Sequence, residues 1–122
     1  MSALARRAVA CKGWRWLPGM LTLDGLRLGG VAHTPSGAWS CVTAAGEPSD
    51  RPMRDELPDL TDPATLGCVL ALVRDAWGDV EFHITYSPCN EWWVVYMGDL
   101  PDRTQWTVSQ AEALVAALEA AP

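Results

Sequence analysis

The sequence predicts an α+β domain in which helices pack on an antiparallel sheet, and three observations carry that reading. Residues 57–78, LPDLTDPATLGCVLALVRDAWG, contain a helix with both ends written into them. Residues 80–97 hold two strand-like runs separated by a turn. Residues 107–119 open on capping signals and continue as an alanine-rich helix. The second half of the chain therefore reads helix, strand, strand, helix, with room for a short third strand. At 122 residues, 49% hydrophobic and 20% charged, the chain is expected to form one domain, 1–122, able to bury a core without staples.

Taken in order, residues 2–12 have helix-forming composition, and Gly13 can end the helix. Leu4, Ala8, Val9 and Cys11 would form a narrow apolar stripe. Trp14 to Leu17 alternate in the manner of a strand, broken by Pro18-Gly19. Asp24-Gly25 is a turn dipeptide between residues 20–23 and 26–28, which suits a small hairpin. Val31–His33 and Trp39–Thr43 are further short strand candidates. Residues 44–61 have no periodicity and contain Pro48, Pro52 and Pro58. They read as an irregular loop, separating a variable segment, 1–54, from a regular half, 62–120, and as a candidate functional loop.

Asp62 can cap the next helix, Pro63 fits its first position, and Gly78 fits the left-handed residue after its last turn. Leu66, Val69, Leu70, Val73 and Trp77 form its apolar stripe, widened by Cys68, Leu72 and Ala76. Gly67 and Ala71 are small and four apart, which would admit another element closely. Val80, Phe82, Ile84 and Tyr86 then alternate with Glu81, His83 and Thr85, predicting a strand with one wet face. Glu91–Met97 is apolar on both faces and reads as a central strand; Thr104–Thr107 is the short third one. Thr107-x-x-Gln110 and Ser109-x-x-Glu112 are overlapping capping boxes, and Ala111, Leu114, Val115 and Leu118 form the buried stripe of the final helix. Two helices would cover one face of the sheet.

Composition narrows function. No apolar run approaches the roughly 20 residues of a membrane span, and the start lacks an uninterrupted apolar signal region, so the chain is expected in the cytoplasm. Cys11, Cys41, Cys68 and Cys89 read as reduced, mostly buried thiols. Seven tryptophans against one phenylalanine assign much of the core's bulk to Trp, with one or two left at a contact surface. Residues 1–54 hold seven cations and three acids, a net of +4; residues 55–122 hold twelve acids and two arginines, a net of −10. An acidic half disfavours nucleic acid as a direct partner and favours a basic one.

Constellations for chemistry are sparse. A zinc site needs four Cys/His ligands with close pairs, but His83 and Cys89 lie six apart, and His33 and Cys41 eight apart. Cys89 beside Asn90 reads as a turn cysteine, and His83 as a solvent-facing histidine on the wet strand face. Gly29-Gly30 lacks the lysine and helix signature of a phosphate loop. Trp14-Arg15-Trp16 is the one place where cations and aromatics interleave, and a core reading with a snorkelling Arg15 is preferred. The helix–strand–strand–helix order is shared with double-stranded-RNA-binding domains, but residues 106–110 lack the positive charge such domains need. No catalytic, cofactor-binding or metal residues are expected.

LPDLTDPATLGCVLALVRDAWGD, the tryptophan-bearing hairpin after it, the closing TxxQAEALVAALEAA helix and the early WRWLPGM resemble a group of small, mostly uncharacterised proteins of tailed phages and prophages. Their layout is similar to the phage ABA-sandwich type. The resemblance covers roughly half of the chain and implies origin and architecture; it brings no catalytic residues. The resulting expectation is a phage-encoded, non-enzymatic binding protein that occupies a basic surface on a host protein or ribonucleoprotein complex, with no membrane partner. An anti-CRISPR-type inhibitor of host defence is its sharpest form. The acids expected to make contact are Asp55, Glu56, Asp59, Asp79, Glu81, Glu91, Asp99 and Asp102. The second expectation is a homo-oligomeric morphogenesis-linked module, such as a homodimer, joined through tryptophans and a bare edge strand.

Overall fold

The computed structural model describes residues 2–30, 38–78, 83–87, 92–96, 105–107 and 109–122. Among these residues it is an α+β fold with three helices and two three-stranded antiparallel sheets. The helices are α1 (Ser2–Val9), α2 (Pro63–Trp77) and α3 (Gln110–Glu119). The first sheet holds β1 (Arg27–Leu28), β2 (Trp39–Val42) and β3 (Pro48–Arg51) in the order β1-β2-β3. The second holds β4 (His83–Ser87), β5 (Trp92–Tyr96) and β6 (Gln105–Thr107), with β5 in the centre as its two apolar faces predict.

α2 forms where its caps place it. The Asp62 carboxylate accepts from Thr65 N at 2.9 Å, and Gly78 takes the left-handed conformation, φ +63°. Its buried face is Thr65, Val69, Leu72 and Val73, whereas Leu66, Leu70 and Trp77 are only half-buried. The face is turned from the expected stripe because the Thr65 hydroxyl is occupied: it donates to Asp62 and accepts from Leu21 N at 2.9 Å. Gly67 and Ala71 lie on the exposed side, and no described residue comes within 4 Å of where a Gly67 Cβ would be. The close approach expected there is not seen among the described residues. It occurs at Gly13 instead, where a Cβ would sit 3.2 Å from both Ala76 Cβ and Leu118 Cδ1.

α3 is the central element. It contacts α1 and α2 on one side and all three strands of the second sheet on the other. The expected stripe is buried, and Ala113 and Ala117 are buried with it, because a helix enclosed on several sides must be apolar nearly all round. The expectation of two helices on the sheet is corrected: α3 packs on β4, β5 and β6, and α2 packs on α3. Ser109 is its N-cap, accepting from Glu112 N at 3.0 Å, while Thr107 ends β6. Arg7 on α1 reaches Glu112 at 3.0 Å and Glu119 at 2.7 Å, fixing how α1 lies on α3. The pair with Arg7 holds the Glu119 carboxyl below its usual range.

The first half departs from its sequence reading at two places. Residues 14–17 are not a strand: Trp14 N donates to Cys11 O, continuing the turn after α1, and the Trp14 and Trp16 rings meet edge to face. Residues 44–61 are not irregular throughout. A turn at Thr43–Glu47, with Gly46 at φ +82°, sends the chain back along β2 as β3, in register from Val42↔Pro48 to Trp39↔Arg51. Residues 57–59 then bond to Leu21 and Leu23. The hairpin around Asp24-Gly25 forms, with Thr22 N donating to Leu26 O and Leu28 N to Met20 O, each at 2.9 Å. The Val31–His33 strand candidate and residues 80–82 lie outside the described residues.

The core has two clusters. The larger gathers α1, α2 and α3 with Met20 and Leu60; the smaller is Leu26, Leu28, Cys41 and Met53. Trp16 packs against both. Trp14, Trp16, Trp39 and Trp77 are all half-buried, so aliphatic and alanine side chains fill the described centre instead. The side chains of Trp92, Trp93 and Trp106 lie outside the description.

Two stability predictions follow from this packing. Asp62→Ala should cost about 2 kcal/mol in urea unfolding, since it removes a cap and strands Arg27. The Arg27 guanidinium beside Asp62 holds its carboxyl down to about 2, against an ordinary 3.8. The stabilisation is thus fully present above 3.8 and lost as pH falls through 2. Asp62→Asn should lose stability less steeply than the parent between those values; Glu119 titrates in both proteins and cancels in the comparison. Gly13→Val should cost about 1–3 kcal/mol by overpacking against Ala76 and Leu118, read from the same urea curves.

Candidate functional site

The smaller core cluster sets the candidate site. Met53 is buried on Leu26, Leu28 and Cys41, and the turn it anchors closes with Glu56 N donating to Met53 O at 3.2 Å. Arg54 and Asp55, at the turn's tip, are exposed. At the end of β3, Arg51 Nη1 lies 3.3 Å from Asp24 and 3.4 Å from Glu56. Arg51 therefore joins Asp24, from the hairpin turn, to Glu56, with the exposed Asp55 next to it; Asp50, one residue before Arg51 in β3, lies on the opposite face of the sheet. Asp24, Asp55 and Glu56 thus stand with Arg51 and Arg54, while Glu47 lies in the turn at the other end of β3. Glu47, Asp50 and Asp55 are exposed and have no ion-pair partner among the described residues.

Beside this rim lies a cleft of about 370 Å³ lined by Val9, Trp14, Trp16, Met53, Arg54 and Glu56. The Trp14 and Trp16 ring centroids are 5.4 Å apart, with planes at 85°. Trp14 Nε1–H is buried with no acceptor among the described residues. Arg15, between them in sequence, bonds instead to Asp75 on α2 at 2.9 Å. That exposed pairing offsets the charge of the interleaved cation on which a nucleic-acid reading of Trp14-Arg15-Trp16 would depend.

The acids singled out from the sequence have different fates. Asp55 is exposed. Glu56 is paired with Arg51 and only 15% exposed. Asp59 is a turn former, accepting from both the backbone N and the hydroxyl of Thr61. Asp79, Glu81, Glu91, Asp99 and Asp102 lie outside the described residues. The structure thus brings Asp55 and Glu56 together and adds Asp24, which sequence reasoning missed. Asp24 is 27 residues from Arg51, and the pairing of residues 21–23 with 57–59 sets it beside Glu56.

Other chemistry has little to work with in this region. No group of three or more His, Cys, Asp or Glu suited to a metal occurs among the described residues. Cys11, Cys41 and Cys68 are free thiols, and burial raises the pKa of each. His83 sits on β4 opposite Tyr96, while His33 and Cys89 lie outside the described residues. No helix among the described residues is long and apolar enough to cross a membrane. No protein-family model matches the chain, nor does any curated protein or solved structure.

The thiol environments give a direct test. In the native protein near neutral pH, Cys11, Cys41 and Cys68 should alkylate with iodoacetamide at least about tenfold more slowly than in urea, Cys41 slowest of all. Peptide mass mapping reads the result, and fast native alkylation at one of them would reveal an activated thiol.

Proposed function

We propose that this protein is a non-enzymatic binding protein whose acidic rim, formed by Asp24, Asp55 and Glu56, docks on a cationic surface of a partner protein or ribonucleoprotein complex. The observation that carries this reading is the juxtaposition at one end of the first sheet. Asp55, exposed and without an ion-pair partner among the described residues, adjoins Arg54 and Glu56, which line a cleft walled by two half-buried tryptophans. Buried aromatic anchors ringed by polar groups are how protein interfaces concentrate binding energy, and an acidic rim speeds encounter with a basic partner. The likeness of residues 57–79 and of the closing helix to small phage and prophage proteins supports a phage accessory protein acting in the bacterial cytoplasm. Inhibition of a host defence complex, in the manner of an anti-CRISPR protein, is the role that fits a small acidic body covering a basic surface.

Affinity capture from bacterial lysate, with the parent chain and Asp24→Lys/Asp55→Lys run side by side, tests this. Both positions are exposed, so circular dichroism should be unchanged. A partner should be retained by the parent, released by about 0.5 M salt, and lost at least about tenfold with the variant. Identical retained proteins for the two chains at every salt concentration would overturn the reading.

A further inference from the structure

β3 ends its sheet: among the described residues it pairs with β2 alone, whereas the far side of β1 is closed by residues 19–21, and those in turn by residues 57–59. An open strand edge is a template for another strand. Which backbone groups face that edge follows from the register. Thr43 N donates to Glu47 O, so these two residues form a hydrogen-bonded pair. Such pairs alternate along an antiparallel ladder. Cys41↔Ser49 and Trp39↔Arg51 therefore turn their amides and carbonyls toward each other, and Pro48 and Asp50 turn theirs to the open side. Pro52 is the next residue in that phase.

Proline has no N–H to give. Of three successive outward positions, 48, 50 and 52, two thus lack a donor, and the third belongs to an exposed aspartate. A symmetric antiparallel pairing of two copies centred on this strand would set Asp50 opposite its own counterpart, and like charges facing each other destabilise a strand pair. We infer that the Pro48-x-Asp50-x-Pro52 spacing is a guard that stops β3 from accepting a strand from a second copy of this chain. It keeps this edge of the first sheet, and the acidic rim that follows β3, from being consumed by self-association. The guard is a property of the backbone and does not depend on the nature of the partner.

Two measurements test it. Amide hydrogen exchange on the parent protein should show Ser49 and Arg51 protected, and Asp50 exchanging at least about tenfold faster than either. Light scattering across a concentration series should show Pro48→Thr/Pro52→Thr rising to at least twice the parent's mass, with the parent unchanged over the same series. Pro48→Ala alone restores one donor at an exposed position and serves if the double variant does not fold. An Asp50 amide as protected as its neighbours would overturn the inference. So would a natively folded variant that keeps the parent's mass throughout.

Discussion

The Asp62 carboxylate joins the two halves of the described structure. One of its oxygens accepts from Thr65 N, which caps α2, from the Thr65 hydroxyl, and from Arg27 Nη1 at 2.6 Å; the other accepts from Arg27 Nη2 at 3.1 Å. Arg27 belongs to β1 and also donates to Gly19 O, while Thr65 accepts from Leu21 N. The start of the helix and the turn of the first hairpin are thereby held by one group, which is only 12% exposed. A buried ion pair offers little net stability over an apolar replacement, because desolvation offsets its attraction. Its value lies in geometry. The carboxylate's four donors come from fixed directions, so the sheet can sit on α2 in one orientation.

That orientation sets up everything at the other end of the sheet. Leu28 and Cys41 face Met53 because β1 and β2 are held in place, and Met53 in turn fixes the loop that presents Arg54, Asp55 and Glu56. Trp16 packs on both core clusters, so the wall of the cleft is shared by the helical layer and the sheet. A displacement of the sheet relative to the helical layer would open the cleft, because Val9, Trp14 and Trp16 line it from one side and Met53, Arg54 and Glu56 from the other.

Features written locally were legible in the sequence. Asp62, Pro63 and Gly78 bound α2 because capping depends on residues within one turn, and Ser109 starts α3 for the same reason. The Asp24-Gly25 hairpin and the central place of β5 were legible in the same way. β3 was not, since Pro-Ser-Asp-Arg has no strand propensity; it is a strand because the Gly46 turn lays it beside β2. The alternation at Trp14–Leu17 misled because no neighbouring strand is there to receive it. Asp62 could be read as a cap but not as the partner of Arg27, which lies 35 residues away. At the site, Asp55 was legible as an exposed acid, whereas Asp59, of the same chemistry, is consumed by the turn before α2.

The charge asymmetry of the sequence also changes meaning once the chain is folded. The basic first half spends its cations on acids of the second: Arg7 on Glu112 and Glu119, Arg15 on Asp75, Arg27 on Asp62, and Arg51 on Glu56. These pairs hold one half of the chain against the other, so much of the acidic excess counted along the second half is not available to a partner. The carboxylates left exposed and unpaired among the described residues, Glu47, Asp50 and Asp55, come from the middle of the chain, interleaved with Arg51 and Arg54. A count of charge by segment therefore locates the internal clamps, and only the pairing in space locates the surface that faces outward.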